Sequence, residues 1–445
     1  MENLKRLIAK YAVPGPRYTS YPTALDFSKD ADKGNLKRLA LSELPDASLY
    51  VHIPFCANLC RFCGCTTTLG RDLKASEDYL TLVGKLENWR RAGMPRRLLR
   101  QIHFGGGTPN FLSPEQIMRL GAIIREYFEI ADACEFSAEL DPRTLTLEKV
   151  QAFAKIGVNR ASLGVQDTNP EVQKAVNRIQ PPQRNKEAVS WLRESGINNI
   201  NIDLMYGLPL QTIKTFEKTI EDALELEPAR IALFGYAHVP WVKPAQKVLE
   251  KCGIPTSEEK ADLFILGKRS FEKAGYEFIG LDHFAKSADA LIKARKNGTL
   301  HRNFQGYSTC AGIDLFAVGL TSISETRTSY RQNFKTMEDY KNAVESGELP
   351  IERGIVLDGE DLLRRAVIMD IMCALKVDFN NYGVDFRSKF AEALAKMEDM
   401  QKDGLVEMRE GGFSVLPIGR LFLRNIAMLF DGRLAAHKNT FSKTV

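Results

Sequence analysis

A regular alternation of short β-rich runs and helical stretches begins at residue 49 and constrains the fold more than any other feature. The β-rich runs are 49–53, 101–104, 135–140, 160–165, 199–204 and 230–234. The helical stretches span about 75–98, 114–129, 146–156, 170–195, 213–226 and 257–274. Because strands that alternate with helices pair in parallel through right-handed crossovers, the chain is predicted to be an α/β protein. Six such units in series predict a partial, TIM-like (β/α)6 barrel at about 45–325.

Polar and glycine-rich segments come directly after these β-rich runs. They are Cys56, Gly105–Thr108, Asp141, Gln166, Tyr206–Pro209 and Tyr236–His238. The carboxyl ends of parallel strands meet at one edge of the sheet, where α/β folds bind their ligands. We therefore expect one site at that edge.

The segments on either side of the barrel differ in character, so we divide the chain into 1–48, 49–335 and 336–445. The first is an N-terminal arm whose turn-rich stretch, 14–23, is predicted to lie on the surface, or alternatively to contact a ligand through its tyrosines and arginine. The last is a mainly helical, winged domain with helices at 359–375, 385–402 and 417–431 and a hairpin at 405–417. Acidic and basic side chains are equal in number from residue 354 onward, which argues against nucleic-acid binding and favours a lid or support domain.

Composition excludes several other classes of protein. The net charge of +5 is slight for 445 residues, and 44% of the residues are hydrophobic, as in ordinary globular proteins. No apolar run reaches the roughly 20 residues that a membrane span needs, and the first ten residues mix charged with apolar side chains. We expect a cytoplasmic protein without a membrane span, and a monomer because no coiled-coil repeat is present.

Four of the eight cysteines fall within ten residues, on the loop after the first β-rich run: Cys56, Cys60, Cys63 and Cys65. In a reducing compartment such a cluster indicates metal ligation, not disulfides. Three thiolates spaced C-x3-C-x2-C can each bind one iron of a [4Fe–4S] cluster and leave the fourth iron open. A structural zinc site is the less favoured alternative, because its ligands usually come in two separated pairs.

This cysteine spacing resembles that of radical S-adenosylmethionine enzymes, and longer strings narrow the resemblance. GPRYTSYPT, YVHIPFC with the following CGC, HFGGGTPNFL, NIDLMYGLP and HRNFQGYST are similar to segments of the oxygen-independent coproporphyrinogen III oxidase family. The resemblance runs from about residue 10 to about residue 442. It implies a radical S-adenosylmethionine barrel with the arm and C-terminal domain described above.

The resemblance also implies an activity and its cofactors. The activity is oxidative decarboxylation, without dioxygen, of two propionates of coproporphyrinogen III to vinyl groups, which gives protoporphyrinogen IX in haem biosynthesis. The cofactors are a [4Fe–4S] cluster and two molecules of S-adenosyl-L-methionine, and an unidentified electron donor is required. The alternatives are a radical S-adenosylmethionine methyltransferase acting on tetrapyrroles and a haem chaperone of the same branch. The chaperone is disfavoured because the stretch 301–307 lacks tryptophan.

Matching the family residue by residue implies the roles of particular side chains. Cys56, Cys60 and Cys63 would bind the cluster, while Cys65 would act in catalysis without binding it, or would simply be a packing cysteine. The residues expected to line the two S-adenosylmethionine sites are Tyr50, Phe62, Gly106, Gly107, Thr108, Glu139, Gln166, Arg178, Asp203, Ala237 and Ile323. Residue type alone makes Arg17, Lys286 and Arg302 candidates for contacting substrate propionates.

Overall fold

The structure, a computed structural model, describes residues 2–41, 44–70, 72–437, 441, 442 and 444. Within these ranges a twelve-stranded sheet forms the centre of the protein. Its six central strands are β1 (Asp46–Ile53), β2 (Leu98–Gly106), β3 (Glu129–Leu140), β4 (Arg160–Gln166), β5 (Asn199–Tyr206) and β6 (Arg230–Gly235). Each of these strands pairs in parallel with the next, in chain order. The predicted α/β fold with six parallel strands is confirmed.

Six further strands extend the sheet at both ends. They are β7 (Tyr276–Gly280), β8 (His283–Lys286), β9 (Asp314–Val318), β10 (Ile323–Glu325), β11 (Ser329–Asn333) and β12 (Ile351–Val356). The complete order is β12-β11-β10-β9-β1-β2-β3-β4-β5-β6-β8-β7. Strand β9 runs parallel to β1, whereas β8 runs antiparallel to β6. The order has two ends, so the described strands form an open, not a closed, barrel.

Helices precede, connect and follow the parallel strands. Those of the first half are α1 (Glu2–Tyr11), α2 (Lys33–Ala40), α3 (Leu73–Gly84), α4 (Glu87–Arg91), α5 (Pro114–Tyr127), α6 (Leu147–Ile156), α7 (Pro170–Ala175) and α8 (Pro182–Glu194). Those of the second half are α9 (Ile213–Leu224), α10 (Ser257–Lys273), α11 (Ala290–Lys296), α12 (Met337–Glu345), α13 (Gly359–Met369), α14 (Phe386–Lys389), α15 (Ala391–Lys402) and α16 (Leu423–Met428). None of the helices in the described ranges is long and apolar enough to cross a membrane.

The predicted helix at 170–195 is wrong in its middle, where the chain leaves α7 and restarts as α8. Pro181 and Pro182 lack backbone N–H groups, so they cannot continue a helix but can begin one. Asn177 also adopts a left-handed conformation, with φ of 56°. The break matters because it frees Arg178 from a helix surface and buries it, with 7% of its area exposed.

The hydrophobic core lies between the sheet and the helices that cover its outer face. Alternate residues of each strand point to this side, as Ile200, Ile202 and Leu204 of β5 show, and all three are buried. Large aromatic side chains such as Phe104 and Phe136 pack edge to face in the same layer, with ring centroids 4.9 Å apart. The opposite face of each strand is left for the interior of the barrel.

The turn-rich stretch at 14–23 is not a surface arm. Tyr18 and Tyr21 are each 1% exposed, because the stretch packs against the C-terminal region. The Tyr18 hydroxyl donates to the Asp431 carboxylate at 2.9 Å, and the Gly432 N–H donates to the Tyr21 hydroxyl at 3.1 Å. The prediction of a surface location is therefore wrong for this stretch.

The C-terminal region contains helices α13–α16 and a three-stranded sheet. Its strands, Lys376–Asp378, Val406–Arg409 and Gly412–Val415, pair antiparallel in the order first, third, second. The hairpin thus forms where it was predicted. The predicted helix at 385–402 is divided at Phe390, and the one at 359–375 ends at Met369 in a wider turn, Asp370–Ala374.

Candidate active site

A cavity of about 380 Å³ opens at the carboxyl ends of the parallel strands and continues into the barrel. Its wall includes the inward-facing residues of β2–β6 and the cysteine loop, together with His283, Leu291 and residues of the segment 303–308. Of the residues expected to bind cofactors or act in catalysis, those that line it are Cys56, Cys60, Phe62, Cys63, Cys65, Gly106, Gly107, Thr108, Glu139, Gln166, Arg178 and Asp203. Residues from five separate strand exits thus meet in one place.

The cysteine loop is closed at its base by a short parallel pair, Phe55–Cys56 with Thr68–Leu69. Its far side rests on the break between α7 and α8. There, Arg61 donates through Nη1 to the Ala175 carbonyl at 2.8 Å, and Asn177 donates through Nδ2 to the Leu59 carbonyl at 2.9 Å. The loop conformation is therefore fixed by protein contacts on both sides.

The three cysteines expected to bind the cluster are half-buried at the cavity, and each sulfur has a polar neighbour. The Cys56 sulfur lies 3.5 Å from the Thr108 hydroxyl, and the Cys63 sulfur accepts from the Cys65 backbone N–H at 3.4 Å. Burial raises the pKa of Cys56 to about 11. A hydrogen bond with the Cys65 thiol lowers the pKa of Cys63 to about 6 and raises that of Cys65.

These thiols suit an iron–sulfur cluster in their chemistry. Thiolates are the ligands that such clusters prefer, and N–H donors on the sulfurs are a usual means of tuning their potential. Within the described ranges, no three His, Cys, Asp or Glu side chains converge closely enough to hold a single metal ion. A cubane cluster places each thiolate on a different iron, so its ligands stand further apart than those of one ion.

The glycine run at the end of β2 passes directly beneath the start of the cysteine loop. A Cβ atom on Gly106 would lie 2.8 Å from the Ile53 carbonyl oxygen, and one on Gly107 would lie 2.7 Å from the Pro54 carbonyl group. Gly106 also has a φ of 116°, which side chains rarely adopt. Side chains are therefore excluded here, and the backbone of the run forms part of the cavity wall.

Two carboxylates project into the cavity from neighbouring positions. Desolvation raises the pKa of Glu139, but a hydrogen bond with His103 Nε2 at 3.2 Å and one from the Gly106 backbone N–H help to outweigh desolvation, and that pKa stays below its usual value. Asp203 accepts hydrogen bonds from Ser162 at 2.9 Å and Asn201 at 2.7 Å, yet burial raises its pKa to about 6. Both groups are ionised at neutral pH and can accept hydrogen bonds from hydroxyl groups.

A buried ion-pair network connects β3 and the α7–α8 break to the cysteine loop. The Asp141 carboxylate accepts from Arg143 Nη2 at 2.6 Å and from Arg178 Nη1 at 3.2 Å. Each arginine also donates to the Cys60 sulfur at 3.4 Å. Burial raises the pKa of Asp141, but the two guanidiniums outweigh it and leave that pKa below its usual value. Arg178 is thereby a buried residue of the site and not an exposed helix arginine.

The remaining expected residues lie differently. Tyr50 stands beside the cavity wall, with its ring stacked on His103 at 5.8 Å and its hydroxyl 3.1 Å from His52 Nδ1. Ala237 is exposed. It lies near the cysteine loop, because Gln246 Nε2 donates hydrogen bonds both to the Ala237 carbonyl and to the Phe62 carbonyl.

The structure does not bring Ile323 to this cavity. It lies on β10, in the antiparallel extension beyond β1, and packs partly buried against Phe27, Tyr330 and Leu357. The prediction for Ile323 has no support from the geometry of the described residues.

Of the arginines and lysine considered for binding substrate propionates, Arg17 forms an ion pair with Asp282 at 2.9 Å.

His103 and Arg143 are site residues that the sequence reasoning did not select. His103 joins Ser137 and Glu139, and Arg143 joins Asp141 and Cys60. His103 carried a usable signal, since it shares the inward face of β2 with Gly105, two residues further on.

Comparison with known proteins defines the class first. The Radical SAM superfamily matches residues 50–223, which include the second half of β1, the cysteine loop and β2–β5. The HemN C-terminal domain matches residues 357–422. These matches indicate the radical S-adenosylmethionine class, which implies a [4Fe–4S] cluster and S-adenosylmethionine.

Full-length similarity then defines the family. The chain is 40% identical over 98% of both chains to the oxygen-independent coproporphyrinogen III oxidase of Helicobacter pylori (strain J99 / ATCC 700824). It is also 40% identical to that of Escherichia coli (strain K12), over 99% of this chain and 98% of the other. The solved structure of coproporphyrinogen III oxidase (HemN) from Escherichia coli superimposes with a TM-score of 0.89, covering 94% of this chain and 97% of the other. The chain belongs to the oxygen-independent coproporphyrinogen III oxidase family.

Proposed function

We propose that this chain converts coproporphyrinogen III to protoporphyrinogen IX without dioxygen, by oxidative decarboxylation of two propionates to vinyl groups in haem biosynthesis. The observation that carries the proposal is the convergence of the cysteine loop, the glycine run and the two carboxylates on one cavity. Full-length similarity to enzymes of that name supports the same reaction.

Cys56, Cys60 and Cys63 would hold the cluster, leaving one iron free for the amino and carboxylate groups of S-adenosylmethionine. When bound, the cluster and S-adenosylmethionine supply the abstraction of a hydrogen atom from the β-carbon of a propionate. The propionate then loses carbon dioxide and one electron, which an external acceptor must take up. The protein's part is to orient these molecules and keep water away from them.

Individual side chains account for that orientation. The backbone of Gly106–Thr108 would receive the methionyl part of S-adenosylmethionine, since Gly106 and Gly107 have no side chain to obstruct it. Arg178, buried beside Cys60, would pair with a carboxylate, and Glu139 and Asp203 would accept hydrogen bonds from ribose hydroxyls. Two molecules of S-adenosylmethionine are proposed in total.

The partners and location of the protein are part of the same proposal. We infer a one-electron donor that reduces the cluster, a monomeric state and a cytoplasmic location. Size-exclusion chromatography with light scattering would test the monomer, since a dimer would elute with twice the chain's mass of 50.0 kDa.

The function is tested by an anaerobic assay that combines the reconstituted protein, a reductant, S-adenosylmethionine and coproporphyrinogen III, with products identified by mass. We expect loss of two carbon dioxide molecules and four hydrogen atoms per substrate. Cys60→Ala should lose both iron and the cleavage of S-adenosylmethionine. Cys252→Ala is the matched control, because Cys252 lies in the segment Pro244–Cys252 and does not line the cavity. A wild-type protein that cleaves S-adenosylmethionine but returns unchanged substrate would contradict the proposal.

A further inference from the structure

Two buried arginines occupy the floor of the cavity, at the end of the barrel opposite the cysteine loop. Arg160 begins β4 and Arg230 begins β6, and both line the cavity although each is only 8% exposed. From Arg160 to Gln166, at the other end of β4, the backbone rises about 20 Å. The functions proposed above for the cysteine loop, the glycine run, Glu139 and Asp203 do not involve these two arginines.

Each of these guanidiniums is only partly paired. Arg160 donates through Nε to Glu135 at 3.1 Å, and Arg230 donates through Nε to Asp289 at 2.8 and 2.9 Å. Arg160 Nη1 and Arg230 Nη2 are buried and have no hydrogen-bond partner in the part of the chain that the structure describes. Buried polar groups are normally satisfied, so a group absent from the protein itself is expected to accept these N–H bonds.

The charges around the floor favour an anion. Arg302, 4% exposed, lies behind the wall with its guanidinium 4.9 Å from the Tyr307 ring, and its Nε and Nη1 also lack partners among the described residues. The nearby Asp282 carboxylate is paired with Arg17, so the charges of Arg160, Arg230 and Arg302 are opposed by two further carboxylates, Glu135 and Asp289. His283, which also lines the cavity, is neutral at pH 7, because burial lowers its pKa to about 4.

We propose that Arg160 and Arg230 bind a carboxylate, and that this carboxylate is a propionate of the tetrapyrrole on the side away from the reacting one. The inference rests on the proposed function. A planar guanidinium with a free N–H edge is suited to a carboxylate, and two of them can hold one propionate from both sides. The two arginines lie about 20 Å from the carboxyl ends of the strands, so this propionate is far from the cysteine loop. Arg160 and Arg230 would thereby hold the macrocycle in place while another propionate reacts.

The methionyl carboxylate of a second S-adenosylmethionine is the other source of the same chemistry, and the test separates the two. The variants are Arg160→Gln and Arg230→Gln, with Arg160→Lys retaining the charge. Since Arg160→Gln leaves Glu135 with the amide of Gln101 but without its ion-pair partner, the double variant Glu135→Gln/Arg160→Gln removes both charges and is used if the single variant fails to fold. Arg91→Gln is the control, because Arg91 is an exposed arginine with a surface partner.

Binding is measured on the anaerobically reconstituted protein, independently of turnover. Coproporphyrin III and its tetramethyl ester are titrated by porphyrin fluorescence, and radiolabelled S-adenosylmethionine is followed by equilibrium dialysis. We expect Arg160→Gln and Arg230→Gln to weaken binding of the free acid by about tenfold or more, as for the loss of one charged hydrogen bond. The ester should bind the variants and the wild type alike, and Arg91→Gln should change nothing.

The possible outcomes are distinct. If the variants lose one equivalent of S-adenosylmethionine and bind coproporphyrin III normally, the propionate assignment is overturned and the carboxylate belongs to methionine. If both ligands bind the variants as tightly as the wild type, the floor binds no carboxylate. A wild-type protein that fails to convert coproporphyrinogen III would instead overturn the proposed function, which the turnover assay reads separately.

Discussion

Asp141→Asn is a substitution for which the structure predicts a large effect without touching a cysteine. The Asp141 carboxylate is 8% exposed and accepts hydrogen bonds from the guanidiniums of Arg143 and Arg178 and from the Arg143 backbone N–H. Both arginines are also held against the Cys60 sulfur. The substitution keeps the size of the side chain, removes its negative charge, and turns an N–H₂ group toward two donors.

The magnitude follows from burial. Removing one partner of a buried ion pair costs about 3–5 kcal/mol, because the other charge stays buried without compensation. One carbonyl oxygen survives in asparagine and can still accept a hydrogen bond, so we expect the free energy of unfolding to fall by about 3 kcal/mol. Such a loss is a large fraction of the roughly 5–15 kcal/mol that stabilises a typical folded protein.

The assay is urea denaturation of the protein before cluster reconstitution, followed by tryptophan fluorescence. Asp399→Asn is the matched control, since the same chemical change there affects only a surface pair with Lys402 whose side chains are 70% and 74% exposed. The control should shift the midpoint far less. Equal shifts for the two variants would refute the view that this network is a buried, mutually dependent unit.

Three further predictions concern the cofactor site and the N-terminal stretch. Cys65→Ser should retain iron, because Cys65 is proposed not to bind the cluster, and should lower the rate of decarboxylation; turnover at the wild-type rate would make Cys65 a packing residue. Affinity for S-adenosylmethionine should fall between pH 7 and pH 5.5, since the pKa of Asp203 is about 6 and only its ionised form can accept two ribose hydroxyls. The Asp203→Asn variant should bind S-adenosylmethionine weakly at every pH in this range. A pH profile in the variant that parallels that of the wild type would contradict the assignment. Tyr18→Phe should lower the free energy of unfolding by about 1–3 kcal/mol, because the half-buried Asp431 carboxylate loses its side-chain donor and keeps the Arg433 backbone N–H. An unchanged urea midpoint would show that the contact contributes nothing.

Ionisation of Asp203, which should favour ligand binding, should lower the stability of the fold. Its pKa in the folded protein is about 6, against an ordinary value of 3.8, so the folded state holds the proton more tightly than the unfolded chain. The stabilisation from this group is complete below pH 3.8 and is lost as the pH rises through 6. The same ionisation that supports ligand binding therefore costs folding free energy, as is common for functional carboxylates.

The sequence was sufficient for the parallel strands because their signal is local. Strands β1–β6 each include a predicted β-rich run and extend it by a few residues. The buried stretch at 14–23 was not predictable in the same way. Tyr18 and Tyr21 find their partners at Asp431 and Gly432, more than 400 residues later, and nothing in the local pattern indicates those contacts.

Some residues of the candidate site could likewise be predicted from local sequence, and others could not. The cysteines and glycines are recognisable because their spacing alone carries the chemistry. Arg143 is different, since it is an ordinary exposed-type residue until the fold places it between Asp141 and Cys60. The role of such a residue depends on contacts across 80 residues of chain, and these follow only from the packing of β3 against the cysteine loop.

The alternation within the strands explains how one sheet supports both stability and chemistry. In β5, Ile200 and Ile202 face the helices and are buried, whereas Asn201 and Asp203 face the cavity. Strands buried on both faces are normally apolar throughout, so polar residues at every second position indicate an interior that a ligand must complete. It follows that inward-facing substitutions should weaken ligand binding more than folding, and outward-facing ones should do the reverse. Asn201→Ala compared with Ile202→Ala, one residue apart, puts this division to a direct test by urea denaturation and S-adenosylmethionine binding.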